Sequence, residues 1–381
     1  MKKRVTAILA AAALACVSLA ACGGSSAPAT TAAPAATTAA AAETTAAADT
    51  TAAAADTTAA ADTTAAAAEA DGPEVNVTFC NMLAPDHPQS IAAETVLKKE
   101  IAEKTGGKFT IDVQVNGALG SDAETVEATV MGTMNMTGPS CATLATIDPK
   151  WYVLDLPYVF MTKEQARNAF DGELGQYLSD SLEETAGLIC LAIGESGMRN
   201  LSNSTRPIEK PEDMAGLKLR VMENKYHLAT FEAFGASPTP MAFAEVYTAL
   251  QTKQIDGQDN PITITCTSKF YEVQKYYSLI EDLFCGNCVV VNAAWFHSLP
   301  ESYQTALREA AHDMIVEQRR LIDENEAGYI EEMEAGGCAV NELTAEQKQV
   351  FADATQSVRD MFVEEFGEEG TKMLELAEKY K

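Results

Sequence analysis

The order of strand and helix patterns is the feature that most constrains how this chain can fold. From Glu74 onwards, short segments with strand periodicity alternate with segments with helical periodicity. The unbroken apolar run LICLAI at 188–193 is typical of a strand that is buried on both faces. Strands that alternate with helices predict an α/β fold with a largely parallel sheet. The chain from 301 onwards is mainly helical in pattern and can wrap across the preceding elements.

Local signals place the individual elements. A capping box at 121–124 opens a helix that stops at Gly132, and the glycine pair at 106–107 is typical of a helix C-terminus. Strand patterns lie at 75–79, 109–115, 188–193, 218–221 and 288–291, and helical patterns at 91–104, 121–132, 225–234 and 243–251.

The N-terminus has the pattern of an export signal. A basic start, MKKR, is followed by a small-residue apolar stretch at 5–19 that is too short to span a membrane. The sequence LAAC at 19–22 then resembles the lipobox of bacterial lipoproteins. An ordinary signal peptide with a chance cysteine is the alternative. We expect 1–21 to be removed and Cys22 to carry lipid that anchors the protein on the outer face of the cell membrane.

Residues 25–70 consist almost entirely of alanine and threonine with scattered acids, and they contain no leucine, isoleucine or aromatic residue. Such a segment cannot bury enough apolar surface to offset its ordering entropy. We therefore expect 22–73 to be the lipidated cysteine and a flexible tether, with a reach of roughly 40 Å or more by random-coil scaling.

The net charge of −28 excludes two classes of partner. Nucleic-acid binding depends on Lys and Arg that neutralise phosphates, and a grip on anionic lipid depends on a polybasic patch. An acidic surface also repels anionic ligands at long range, so any anion site has to be built locally.

Motifs for catalysis, cofactors and metals are missing from the sequence. It contains no GxGxxG, Walker A or HExxH motif, and its four histidines never fall at ligand spacing. We expect no catalytic residue, no cofactor and no metal site. The one CxxC, Cys285 to Cys288, has a redox interpretation, but it precedes three valines and is better explained as the start of a strand. Whether any thiols pair depends on the compartment.

Two arginines stand out in this acidic chain. Arg199 follows the buried strand pattern at 188–193, and Arg220 lies within a short apolar strand pattern at 218–221. Ligands bind at strand ends of α/β sheets, and a guanidinium offers a planar fork to a carboxylate. The alternative for either arginine is a structural ion pair with one of the many acids.

The surroundings of Arg220 carry a specific resemblance. The segments GLKLRVMEN at 216–224, FGASPTPMAF at 234–243, EVYTALQ at 245–251 and DGQDNP at 256–261 strongly resemble the signature block of the DctP-type solute receptors of tripartite ATP-independent periplasmic (TRAP) transporters. The resemblance extends more weakly from about 74 to the C-terminus.

The resemblance implies roles for several residues. Arg220 would clamp the ligand carboxylate with Arg199 as a second cation, Phe243 would cover the ligand, and Asn260 and Asn81 would supply polar contacts. Phe243 also has a core interpretation, and Asn260 has an interpretation as the cap of a helix that begins at Pro261.

Three further positions complete the expected ligand set, namely Ser140, Glu223 and Asp122. Sialic-acid receptors of the family carry other polar residues where Ser140 and Glu223 stand, so the ligand is left open between a dicarboxylate, a uronate and another sugar acid.

The family fold implies two α/β lobes joined by hinge strands, with a long helix that spans both. We expect a first lobe of 74–196 plus about 286–325, and a second lobe of 197–285 plus about 326–381. The implied partner is the pair of membrane subunits of a TRAP transporter, which is driven by an ion gradient. A receptor for a two-component sensor is the alternative, and a secreted hydrolase or thiol oxidoreductase is a more distant one.

Overall fold

One long strand, β4 (Leu188–Asn203), runs through two sheets and connects the two halves of the protein. This computed structural model describes residues 72–380. Cys22, the expected signal peptide and nearly all of the expected tether lie outside the described residues, and their assignments remain predictions.

The strands follow the alternation that the sequence predicts. Together with β4 they are β1 (Val75–Cys80), β2 (Phe109–Gln114), β3 (Met136–Thr137), β5 (Lys218–Val221), β6 (Ser237–Pro240), β7 (Gly257–Pro261), β8 (Tyr276–Leu279), β9 (Phe284–Asn292) and β10 (Ala339–Glu342).

The α-helices lie between and after these strands. They are α1 (Pro88–Ala92), α2 (Lys98–Lys104), α3 (Asp122–Val130), α4 (Cys141–Leu144), α5 (Lys163–Phe170), α6 (Glu173–Ala186), α7 (Lys225–Ala233), α8 (Val246–Gln251), α9 (Ile262–Thr267), α10 (Ala293–Ser298), α11 (Glu301–Ala335), α12 (Ala345–Ala354) and α13 (Gln356–Glu378). A π-helical turn, Ala93–Leu97, joins α1 to α2, and 3₁₀ turns lie at Pro149–Asp155, Pro211–Met214, Phe243–Glu245 and Phe270–Val273.

In the first lobe, β1 pairs in parallel with β2, and β9 lies between β3 and the N-terminal part of β4. In the second lobe, the C-terminal part of β4 pairs with β7 and β8, and the sheet order is β10-β8-β4-β7-β5-β6. The change of partner falls between Met198, which pairs with β9, and Arg199, which pairs with β7. Gly197, at φ +105°, adopts a conformation that favours glycine at this crossing.

The expectation of a largely parallel sheet is only half right. Pairs β1–β2, β5–β6, β5–β7 and β8–β10 are parallel, whereas β4 is antiparallel to β7, β8 and β9. The run at 188–193 predicts burial on both faces, and the structure buries four of its six residues and half-buries Leu191 and Ala192. Burial does not fix strand direction. A strand that crosses between lobes returns through β9, so the two crossing strands run in opposite directions.

The core explains why residues 288–291 of β9 are all apolar. Val289 and Val291 pack into a cluster with Phe79, Phe296 and the N-terminal half of α11. Cys288 and Val290 point to the other face, into a cluster built around the fully buried Trp151. Alternating side chains therefore serve two cores, one on each face of the sheet.

The 35-residue helix α11 spans both lobes, as the resemblance implies. Its N-terminal half packs with the first-lobe cluster through Leu307 and Met314, and Met333 near its end packs against Tyr277 of β8 in the second lobe.

The packing of the last helix, α13, differs from the expected lobe boundaries, which place it in the second lobe. It kinks at Gly367, and its residues Phe362 and Met373 belong to the same buried cluster as Trp151 and Leu178 of the first lobe. We therefore propose that α13 is grouped with the first lobe, whereas β10 and α12 stay with the second.

Among the helices of residues 72–380, none combines the length and the hydrophobicity that a membrane span requires.

Candidate ligand-binding site

A cleft opens where the two lobes meet at β4 and β9. The empty space within it is about 490 Å³, including the part that is open to solvent. Its walls combine two arginines, a carboxylate and several amides and hydroxyls with apolar side chains: Met82, Leu83, Gln89, Asp122, Gly138, Ser140, Ser196, Arg199, Arg220, Met222, Phe243, Asn260, Ile264, Cys285, Gly286 and Asn287. A concave site with a few convergent polar groups is typical of small-molecule binding.

Arg220 is buried on β5, and its guanidinium is held by a backbone carbonyl. The Nε and Nη2 atoms donate to the Met241 carbonyl oxygen at 3.0 and 2.8 Å. It forms no ion pair with any carboxylate of residues 72–380. Burial, and then the charge of Arg199, lower the pKa of Arg220 to about 9. The site therefore holds a desolvated cation that is not ion-paired, although the charges of Asp259, Glu223 and Asp122 act on it at longer range.

Arg199 is also buried, but its charge is already compensated. Its Nε donates to Asp259 Oδ2 at 2.6 Å, and its Nη2 donates to the Asp259 backbone carbonyl. Burial is the largest single effect and lowers the pKa of Arg199, but the charge and hydrogen bond of Asp259, together with Cys285 and Asp282, outweigh it, so the net shift is upward. The structural ion-pair interpretation therefore describes this arginine, although its side chain also lines the cleft.

Asp122 and Ser140 lie on the first-lobe wall of the cleft. Ser121 and Glu124 form the capping box that the sequence predicts, and this fixes Asp122 at the first position of α3. Asp122 Oδ2 accepts from the Ser140 backbone N–H at 3.1 Å. Burial raises the pKa of Asp122 to about 6, against the effects of that hydrogen bond and of Arg220.

Phe243 and Asn260 line the second-lobe wall. The Phe243 ring packs on Phe270 with centroids 5.7 Å apart while it also faces the cleft, so the core and ligand interpretations both describe it. Asn260 lies in β7 and its Nδ2 donates to Gln258 Oε1. It does not cap a helix, since α9 begins after Pro261 without a side-chain cap.

Asn81 and Glu223 lie outside this lining. Asn81 is buried, and its Nδ2 donates to Gln89 Oε1 at 3.3 Å and to Ser90 Oγ at 3.2 Å. Asn81 therefore affects the cleft indirectly, because it orients Gln89, which lines the cleft. Glu223 is exposed and borders an adjoining cavity that shares Arg220 and Asp122 with the cleft.

Sequence reasoning missed Gln89, Ser196 and Asn287. Asn287 Nδ2 donates to Ser196 Oγ at 3.0 Å, and its Oδ1 accepts from Gln318 Nε2 of α11 at 3.0 Å. Ser196 lies three residues before Arg199. Its position just after the strand pattern at 188–193 was therefore a sequence signal for a ligand-binding residue. Asn287 lies inside the CxxC sequence, and that motif indicates a role for its two cysteines rather than for the asparagine between them.

The CxxC is part of a strand, as expected. Cys285 Sγ lies 3.4 Å from Arg199 Nη1, whereas Cys288 Sγ lies 3.1 Å from Cys141 Sγ, so the two thiols point to opposite faces of β9. Within the described part of the chain, no cluster of three His, Cys, Asp or Glu side chains has an arrangement that suits a metal ion.

Comparisons with known proteins show the family of this chain. Residues 79–365 match the DctP family, described as bacterial extracellular solute-binding protein, family 7. The 2,3-diketo-L-gulonate-binding periplasmic protein YiaO of Escherichia coli is 36% identical over 266 residues, which is 70% of this chain and 80% of YiaO. The C4-dicarboxylate-binding periplasmic protein DctP of Rhodobacter capsulatus is 34% identical over 296 residues, 77% of this chain and 88% of that protein.

A solved structure has a similar fold. The TRAP periplasmic solute-binding protein from Sulfitobacter sp. NAS-14.1, with bound β-D-galacturonate, superposes with a TM-score of 0.76 at 32% identity. The match covers 80% of this chain and 99% of that one. The chain belongs to the DctP family of bacterial extracellular solute-binding proteins, and it is a solute receptor of the TRAP transporter type.

Proposed function

We propose that this receptor binds a sugar acid with a single carboxylate, such as a uronate or an aldonate, in preference to a C4-dicarboxylate. The observation that carries the proposal is the difference between the two arginines in the cleft. Arg220 forms no ion pair with a carboxylate of the described residues, whereas Arg199 is ion-paired with Asp259.

The charges around the cleft support one anionic group rather than two. Arg199 and Asp259 neutralise each other, and burial raises the pKa of the neighbouring Asp282 well above its usual range, which favours its uncharged form. Arg220 then remains as the cation for one carboxylate, and Asp122 adds negative charge on the opposite wall once it ionises. A second ligand carboxylate would be desolvated without a cation, which is costly.

The remaining polar groups suit hydroxyls. Ser140, Gln89 and Asn287 bring a hydroxyl and two amides to the first-lobe wall, and Asn260 faces them from the second. Such groups donate and accept in turn, as ligand hydroxyls do. Phe243 and Ile264 supply an apolar surface for the face of a sugar ring. YiaO and the Sulfitobacter protein are each named for, or bound to, a sugar acid of this type.

Titration calorimetry with D-galacturonate, D-galactonate, succinate and L-malate tests the proposal. We expect at least one of the two sugar acids to bind at least tenfold more tightly than either dicarboxylate, a difference of about 1.4 kcal/mol or more. Tighter binding of succinate or malate would contradict the proposal and would favour a dicarboxylate receptor.

We further propose that the ligand is bound and released without chemical change. Closure of the lobes around a bound solute would present a new surface to the membrane subunits of the transporter, because binding shifts the equilibrium between open and closed forms. Recovery of galacturonate unchanged after long incubation, checked by mass spectrometry, supports this role. A converted product would favour the hydrolase alternative. Uptake that survives loss of this chain, together with loss of a signalling response, would favour the two-component alternative.

Anchoring through Cys22 is also proposed. The LAAC sequence at 19–22 and the alanine- and threonine-rich segment that follows support a receptor tethered to the outer face of the membrane. Metabolic labelling with a radioactive fatty acid should mark the wild type, whereas Cys22→Ala should stay unlabelled and leave the membrane fraction. Equal labelling of both proteins would refute the anchor.

A further inference from the structure

We propose that Cys141 and Cys288 form a disulfide when the protein folds in an oxidising compartment, and that this bond locks one wall of the ligand cleft. Their Sγ atoms lie 3.1 Å apart, although the two residues are 147 positions apart in the sequence. The inference does not depend on which solute the cleft binds.

The backbone already holds the two cysteines side by side. Cys288 N donates to the Pro139 carbonyl at 2.9 Å, and Ser140 forms a β-bridge with Asn287. A covalent bond would bring the two sulfur atoms to about 2.0 Å, which is a further approach of about 1 Å. Because the flanking segments are pinned, we expect this approach to come from rotation of the two side chains rather than from movement of the strand.

The residue that faces this pair leaves room for it. A Cβ atom at Gly286 would lie 2.7 Å from Cys141 Sγ, so a side chain at this position would push the sulfur away from its present place. Glycine at 286 therefore permits the close approach of α4 to β9 that puts the two thiols in contact.

The same geometry excludes the pairing that the sequence suggests. Cys285 and Cys288 are three residues apart on an extended strand, so their side chains leave opposite faces. Cys285 Sγ is directed to Arg199 Nη1 at 3.4 Å, and Cys288 Sγ is directed to Cys141. The CxxC therefore is not a redox pair, and its second cysteine has a partner elsewhere in the chain.

The bond has a chemical route. An external disulfide such as oxidised glutathione is attacked by the Cys288 thiolate, which gives a mixed disulfide and one glutathione thiolate. The Cys141 thiolate then attacks the Cys288 sulfur and releases the second glutathione. The two cysteines lose two electrons and two protons, and the two glutathione molecules gain them.

Burial determines when this exchange takes place. Both thiols are buried, and burial raises the pKa of each, so in the folded protein they are poor nucleophiles. The exchange therefore belongs to folding after export, before the cluster around Trp151 closes over the sulfurs.

The bond would tie the segment that carries Ser140 to the strand that carries Asn287. Both residues line the cleft, so the crosslink holds two polar contacts of the first-lobe wall in register. It closes a long loop of chain, and such crosslinks stabilise a protein mainly by restricting its unfolded state.

The test uses the full-length chain, unfolded with reductant and refolded in a mixture of oxidised and reduced glutathione. After alkylation under denaturing conditions and proteolysis, mass spectrometry should find the peptide of Cys141 joined to that of Cys288. The oxidised protein should melt several degrees above the same protein treated with reductant. Cys141→Ala should abolish the crosslink, and Cys285→Ala should keep it.

Three outcomes would overturn the proposal. One is alkylation of both Cys141 and Cys288 in the refolded wild type. Another is a crosslink from Cys288 to Cys285, or to Cys190, whose buried thiol also interacts with that of Cys288. The third is equal melting temperatures for the oxidised and reduced proteins. If Cys141→Ala fails to fold, the peptide map and melting temperatures of the wild type still decide the question.

Discussion

Arg220 is fixed by the backbone carbonyl of Met241, to which its Nε and Nη2 atoms donate at 3.0 and 2.8 Å. A carbonyl orients the guanidinium without neutralising it. The guanidinium is thus oriented in the cleft before any ligand binds, and it forms no ion pair with a carboxylate of the described residues. We propose that this arrangement lowers the stability of the unliganded protein and leaves the charge available to a ligand carboxylate.

A matched pair of substitutions tests this reading of the two arginines. Arg220→Met removes a desolvated cation at similar volume, which outweighs the loss of the two hydrogen bonds to the Met241 carbonyl. We expect the free energy of unfolding of the ligand-free protein to rise by about 1–3 kcal/mol. Arg199→Met should instead lower it by about 3–5 kcal/mol, because Asp259 is left buried without its partner.

Denaturant unfolding followed by circular dichroism measures both variants. Destabilisation of similar size in the two would mean that Arg220 is a structural residue of the same kind as Arg199.

Much of the fold was accessible from sequence because its signals are local. The capping box at Ser121, the glycine stop after α2 and the apolar run of β4 each report a structure within a few residues. The direction of β4 was not accessible, since it depends on the pairing of β4 with β7, β8 and β9, which come later in the chain.

The site was partly accessible for the same reason. Arg220, Phe243 and Asn260 lie in the block of sequence that resembles the family signature, and all three line the cleft. Gln89 and Asn287 have no local signal of function, because each reaches the cleft only through the packing of distant segments. The different charge states of Arg199 and Arg220 depend on where Asp259 lies, which is a tertiary property.

Asp122 should make binding dependent on pH. Its pKa is raised to about 6, and the groups that interact with it are the Ser140 N–H, Arg220 and the Cys80 thiol. A bound carboxylate adds negative charge beside it and raises the pKa further, so binding takes up a proton. Affinity for galacturonate should therefore increase as the pH falls from about 7.5 to about 5.5.

Calorimetry in buffers of different ionisation enthalpy counts the protons directly. We expect proton uptake near pH 6.5 in the wild type and none in Asp122→Asn. The variant should also bind succinate more tightly relative to galacturonate than the wild type does. Unchanged uptake in Asp122→Asn would assign the proton to another group.

His87 should make the protein sensitive to acid. It is fully buried, its Nδ1 accepts from the Gln89 N–H at 3.1 Å as the cap of α1, and burial lowers its pKa to about 3. Between that value and the unfolded value near 6.5, the unfolded chain binds the extra proton, so stability falls as the pH falls. The contribution between pH 6.5 and pH 5.0 is about 2 kcal/mol.

His87→Asn keeps a capping side chain and removes the titrating group. Denaturant unfolding at the two pH values should show a loss that is smaller by about 2 kcal/mol in the variant. The same loss in both proteins would show that His87 does not carry this dependence.

The alanine- and threonine-rich segment should be dispensable for binding. A chain that begins at Asp71 should bind its ligand as tightly as the full-length protein, because 25–70 contains no core-forming residue. Calorimetry of both proteins checks this. A tenfold loss of affinity, about 1.4 kcal/mol, would show that the segment contributes to the site.

The central claim is that Arg220 binds the ligand carboxylate, and calorimetry of Arg220 variants with the preferred sugar acid tests it most directly. Arg220→Ala should weaken binding by about 2–5 kcal/mol, and Arg220→Lys should weaken it less, since the charge remains without the planar fork. Lys218→Ala, an exposed cation on the same strand, should leave binding unchanged. If Arg220→Ala is folded and binds within a factor of two of the wild type, the carboxylate clamp is contradicted.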